Sequence, residues 1–166
     1  MSPGPLCCIY WLLERTGIEV APFTKGEHFL AEIPMSGRLK LDLVTCEVQG
    51  NRIRARVQLS KSGLTHIGLA GGVLPEANCE KVIAQATINA VRMFTLFAGT
   101  NHRVLLNDLD VITSPQTSTV LVSLRMGQGE ESQFLSGSAA IRTDRNEAAA
   151  RAVLDGLNRQ IEGLLN

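Results

Sequence analysis

A chain of 166 residues is long enough for one domain with a core of its own. Apolar residues make up 45% of it and charged residues 19%, which excludes intrinsic disorder. Sixteen basic residues against sixteen acidic ones leave no formal net charge, which excludes the simplest electrostatic case for a nucleic-acid or anionic-membrane partner.

The chain opens on MSPGPLCCIYWLLERTG, in which Leu6–Leu13 is an apolar run of eight residues. The run is too short to cross a bilayer and lacks a basic segment before it, so no membrane span is expected. It reads as a short helix packed on the body or on a partner subunit. Tyr10, Trp11 and Leu12 would form an exposed apolar patch unless covered, which points to a homodimer. From Ile18 to Gly37 the breakers Pro22, Gly26, Pro34 and Gly37 mark a connector. Residues 1–37 thus stand apart from a domain over 38–166.

That domain reads strand, strand, strand, helix, twice over. Leu39–Val48 is a strand with a turn at Gln49-Gly50-Asn51. Ile53, Ala55, Val57 and Leu59 then alternate with Arg52, Arg54, Arg56 and Gln58, the period of a half-buried strand. After Ser62-Gly63, Leu64–Ala70 is a third strand, and a helix follows over about Cys79–Phe97 with Ile83, Ala86, Ala90, Phe94 and Phe97 on one face. In the second half, Val104–Thr113 is a strand. Val120, Val122, Leu124 and Met126 then alternate with Thr119, Leu121, Ser123 and Arg125, and Phe134–Ile141 is the third strand. Its helix covers Arg145–Leu164, with Ala150, Leu154, Leu157, Ile161 and Leu164 on one face. Aromatics are only 4% of the chain, so the core must be built from Val, Ile, Leu and Ala.

The halves, 38–100 and 101–166, match at an offset of 66 residues. Leu69-Ala70-Gly71-Gly72 falls on Leu135-Ser136-Gly137-Ser138, and Gln85–Val91 falls on Arg151–Leu157. The second strands match at 67. Asn78 and Asp144 fall together as N-caps, and Glu147 stands three residues after Asp144, the spacing of a capping box. The expected fold is α+β: a tandem βββα repeat with antiparallel sheets and the helices packed on one face.

A tandem βββα pair resembles the C-terminal regulatory domain of 2-isopropylmalate synthase and citramalate synthase. The stretch that carries the likeness is FLSGSAAIRTDRNEAAARAVLDGLN, from Phe134 to Asn158, and the likeness spans Leu39–Asn166. Ser136-Gly137-Ser138 and Asp144-Arg145 stand where that family has Gly-x-Gly and Asp-Ile, and the catalytic barrel is absent. The resemblance implies a ligand-binding or dimerising module without synthase chemistry. The order helix, three strands, helix is also similar to double-stranded-RNA-binding domains. Of the basic run that opens their last helix, only Arg145 is present, and groove binding depends on those charges.

The candidate site residues follow from charge and glycine placement. Arg52, Arg54 and Arg56 form a stripe about 6.5–7 Å apart along one strand face, suited to an anion, a nucleotide or RNA. No aromatic residue is interleaved with them, so single-stranded nucleic acid lacks a stacking platform. The period of its strand sets His66 outward beside the arginines. Gly68, Gly71 and Gly72, with Gly137 and Ser138, sit at strand ends before helices, where backbone amides can hold a carboxylate or phosphate.

No catalytic constellation is marked by spacing: Ser138 lacks the Gly-x-Ser-x-Gly elbow, and Glu130-Glu131 and Asp108/Asp110 read as loop or strand-edge charges. Cys7, Cys8, Cys46 and Cys79 form no C-x-x-C pair, so no metal or cofactor is expected and the thiols fit a cytoplasmic protein. The functional reading is a noncatalytic regulatory or interaction module that forms a homodimer and binds a small anionic metabolite. Two alternatives stand beside it. One is an RNA- or nucleotide-binding protein using Arg52, Arg54 and Arg56. The other is an enzyme whose site lies at a dimer interface.

Overall fold

The computed structural model describes residues 37–97, 99, 103–127 and 132–164. The N-terminal apolar run, Cys7, Cys8, His28, His102, Glu130 and Glu131 lie outside them. The order is β1 (Lys40–Gln49), β2 (Arg52–Lys61), β3 (Leu64–Val73), α1 (Cys79–Phe97), β4 (Val104–Thr113), β5 (Ser118–Met126), β6 (Gln133–Ile141) and α2 (Arg145–Leu164). Two antiparallel three-stranded sheets, β1-β2-β3 and β4-β5-β6, are each followed by a helix. The fold is α+β with a tandem βββα repeat, as the alternation implied.

The middle strand of each sheet carries the core. Ile53, Ala55, Val57 and Leu59 of β2 and Val120, Val122 and Leu124 of β5 are buried, while the alternate residues face out. The turn from β2 to β3 has two residues, Ser62 and Gly63, both at positive φ (49° and 81°), the geometry that matches the twist of a tight hairpin.

Each helix packs on the last two strands of its own sheet, on the other helix, and on the first strand of the other unit. Burial therefore wraps well past a single stripe. On α1 it takes in Val82, Ile83, Ala84, Ala86, Thr87, Ile88, Ala90, Val91, Phe94 and Thr95. Phe97, expected on the inner face, is 71% exposed, because it is the last helical residue and lies off the buried arc. The alanines Ala148, Ala149, Ala150 and Ala152 are all buried on α2 and let backbone approach backbone.

Asn78 and Asp144 cap the helices as expected. The Lys81 N–H donates to Asn78 Oδ1 at 2.8 Å, and the Asn146 N–H donates to Asp144 Oδ1 at 2.9 Å. Glu147 does not complete a capping box. It accepts from Arg151 Nε and Nη2 at 2.9 and 2.6 Å, the stronger i, i+4 partner on its own face.

The repeat is real, but its residue correspondence differs from the one the sequence suggests. Both first hairpins carry a register shift, at Leu41/Leu43 and at Leu106/Asp108, which aligns β1 and β2 with β4 and β5 at an offset of 65. Gly68 opposes Val57 as Gly137 opposes Val122, so the third strands correspond at 69. Only the helices keep 66. The difference lies in the turns, since β2–β3 is joined by two residues and β5–β6 by six, from Gly127 to Ser132.

Candidate functional site

Alternation along β2 sends Arg52, Arg54 and Arg56 to the outer face of the first sheet, where all three are exposed. Register supplies their neighbours. Gln49 and Val73 flank Arg52, Glu47 and Gly71 flank Arg54, and Thr45 and Leu69 flank Arg56. Glu47 is the one acid directly across from the stripe. The ion pairs found among the described residues are Arg38–Glu162, Lys81–Asp108 and Arg151–Glu147, none of which uses the stripe. Three guanidinium groups thus stand on one face with their donors toward solvent. Gly71 places no side chain beside Arg54 and keeps the sheet floor open there.

The other candidates are not gathered around them. His66 opposes Leu59, whose side chain is fully buried, and opposed residues share a face. His66 therefore points inward, correcting the outward placement. Its ring meets Phe94 edge-on at 4.5 Å, and its buried Nε2 has no hydrogen-bond partner among the described residues. Gly72 also faces inward, where a Cβ would come within 2.6 Å of Ala77 Cβ and 2.9 Å of Val82 Cγ2. Gly137 lies beneath α2 in the middle of β6, and its place is a packing requirement: a Cβ would run into the Ala152 carbonyl oxygen and the Gly156 nitrogen. Ser138 faces out on the second sheet, and its backbone N–H donates to Asp155 Oδ2 at 3.0 Å. Arg52, Arg54, Arg56 and Gly71 share one face. His66, Gly72, Gly137 and Ser138 belong elsewhere.

Two features went unrecognised in the sequence. Lys61 closes β2 in the inward register and is 3% exposed, and its Nζ has no hydrogen-bond partner among the described residues. Burial lowers its pKa, an effect opposed by the nearby Glu162 carboxylate. The period of β2 could have found it, since Lys61 continues the series Ile53, Ala55, Val57 and Leu59. The second feature is the outer face of the other sheet. There Asp108 and Asp110 stand on β4 against Ser123 and Leu121 of β5.

Elsewhere, a cleft of about 420 Å³ opens at the start of α2, but Arg151 and Glu147 within it are bonded to each other. Cys46 and Cys79 are half-buried free thiols in hydrogen-bond contact. Burial first, and then the bond to Cys79, push the Cys46 thiol up to about 12. Among the described residues there is no group of three or more His, Cys, Asp or Glu placed to hold a metal, and no helix is long and apolar enough to cross a membrane. No family model and no curated protein matches the chain.

Proposed function

We propose that this protein is a noncatalytic regulatory or interaction module that self-associates and binds a small anionic metabolite on its arginine face, in the cytoplasm. The observation that carries the reading is the stripe itself: Arg52, Arg54 and Arg56 on one face, exposed, without an ion pair to one another's neighbours among the described residues. Guanidinium groups in a row suit carboxylate or phosphate oxygens, which they take through paired N–H donors. The duplicated βββα architecture is what a likeness to the 2-isopropylmalate synthase regulatory domain implies, and it supports a regulatory role over a catalytic one.

The test is a thermal-shift screen of dicarboxylates, oxo acids, amino acids and nucleotides, followed by calorimetric titration of any hit. A ligand at 100 times its Kd stabilises by about 2.7 kcal/mol, a rise of several degrees in Tm. The rise should vanish in Arg54→Ala/Arg56→Ala. A screen without a hit overturns the metabolite reading. RNA binding that weakens steeply with salt, and that Arg54→Glu abolishes, would move the function to nucleic acid.

A further inference from the structure

Two thiols meet where β1 passes the start of α1. Cys46 opposes Ala55 on β2, whose side chain is buried, and opposed residues share a face, so Cys46 points inward. Ala55 in turn opposes Ala70 on β3. This row of the inner face is therefore built from short side chains, which let a helix settle close to it. α1 passes over the row, since Val82 lies against Gly72 and Ala86 against Gly68, the inward neighbours of Ala70 on either side. Cys79 opens α1 one turn before Val82, α1 also meets β1, and the Cys79 thiol is in hydrogen-bond contact with that of Cys46. Both cysteines are packed against the core and neither is in a disulfide. The fold does not demand sulfur at these places, because Val111 and Arg145 hold them in the second unit.

We propose that Cys46 and Cys79 are a reversible disulfide site, closed by a low-molecular-weight disulfide such as oxidised glutathione and reopened by thiols. Sulfurs already in contact need small rotations about their Cα–Cβ bonds to reach the bonding distance of about 2 Å. Burial and the bond to Cys79 hold the proton on Cys46, so Cys79 leads. Its thiolate attacks one sulfur of oxidised glutathione, forms a mixed disulfide and releases one glutathione. The hydrogen bond that helped to hold the Cys46 proton is lost in that step. Cys46 then attacks the Cys79 sulfur as a thiolate and displaces the second glutathione. The pair gives up two electrons to the oxidant, and the two thiol protons end on the two glutathione molecules released. In a reducing cytoplasm the pair stays open and closes when the thiol pool is oxidised.

The bond ties an edge strand of the first sheet to the helix that covers it and closes a loop that contains all of β2 and β3. A cross-link across so long a loop removes freedom from the unfolded chain, and Tm should rise by about 5–10 °C. Neither thiol lies on the arginine face, so this site and the metabolite reading stand or fall separately.

The test incubates the folded full chain with oxidised glutathione, blocks the remaining thiols with iodoacetamide and maps tryptic peptides by mass. Wild type should give Leu41–Arg52 joined to Ser62–Lys81 with the loss of two hydrogens, and the higher Tm should return to its starting value in dithiothreitol. Cys46→Ser should stop at glutathione on Cys79, with no rise in Tm. In Cys79→Ser the Cys46 thiol should react at least about tenfold more slowly than the wild-type pair. A wild type that keeps both thiols, or that holds glutathione on Cys79 without closing, overturns the inference. So does joining of either peptide to Met1–Arg15, which carries Cys7 and Cys8, in place of the expected pair. A bond that lowers Tm overturns it too, because the folded geometry would then oppose the bond.

Discussion

Gly68 beneath Ala86 and Ala90, and Gly137 beneath Ala152 and Gly156, hold one place in the two βββα units. In each, the helix backbone lies on the edge strand so closely that a methyl group has no room. The units also share the register shift in the first hairpin and the capped helix start. They part company toward solvent and at the domain's ends. Arg54 and Arg56 correspond to Thr119 and Leu121. Phe94, fully buried on α1, corresponds to Gln160 on α2. Backbone-to-backbone packing tolerates no drift, because the neighbouring atoms cannot move aside. Outward positions meet only water or a partner and are free to diverge.

The largest expected effect tests that shared place. Gly68→Ala and Gly137→Ala should each destabilise by about 3 kcal/mol or more, or prevent folding, since the added carbon meets main-chain atoms. Gly71→Ala should change stability by no more than about 0.5 kcal/mol, because the nearest atom to its Cβ is the Ile53 carbonyl oxygen at 3.4 Å. Urea denaturation of the three variants decides it. If Gly71→Ala proved as damaging as Gly137→Ala, the correspondence at 66 residues would return and the structural one would fall.

That contrast also shows where the sequence was informative. The elements were legible because the signals were local: period-two alternation in β2 and β5, Gly at the hairpin, Asn78 and Asp144 before the helices. The pairing of the units was not legible in their strands. A helix holds its own spacing, so the offset read from α1 and α2 is correct. Carried back across a turn of two residues in one unit and six in the other, it puts Gly71 in the place of Gly68. For the site, the arginine stripe was legible because alternation alone sets its face. The facing of His66 depended on its register with Leu59, a long-range fact that a period without a phase does not contain.

A second contrast lies at the end of the middle strands, where Lys61 in the first unit corresponds to Met126 in the second. Lys61→Met copies the second unit into the first. It should stabilise by about 1–3 kcal/mol, because a buried ammonium without a hydrogen-bond partner among the described residues is replaced by a chain of similar length. Its pH dependence has a definite sign. Burial lowers the folded pKa of Lys61 below the ordinary 10.5. Between the two values the unfolded chain binds the proton and the folded chain does not, so wild-type stability rises with pH across that window and is lost as pH falls through the folded pKa. In Lys61→Met this contribution to the rise should be missing. A variant that is no more stable than wild type and keeps the same alkaline rise would show that Lys61 is satisfied in the fold.

The smallest expected effect separates two clamps that occupy the same place with opposite chemistry. β3 and β6 are edge strands, and a helix side chain ties down one free backbone group on each. Asn89 Nδ2 donates to the Leu69 carbonyl oxygen at 2.8 Å, whereas Asp155 Oδ2 accepts from the Ser138 N–H at 3.0 Å. Asn89 and Asp155 correspond on the helices, and Leu69 and Ser138 correspond on the strands, yet a carbonyl is held in one unit and an N–H in the other. An amide can serve at either place, but a carboxylate can only accept. Asp155→Asn should therefore cost no more than about 0.5 kcal/mol, since the amide oxygen still takes the Ser138 N–H. Asn89→Asp should cost about 1–2 kcal/mol, because it removes the donor and sets a carboxylate against a carbonyl oxygen. Equal losses in the two variants would mean that the clamps contribute through packing alone and that their polarity is immaterial to either edge.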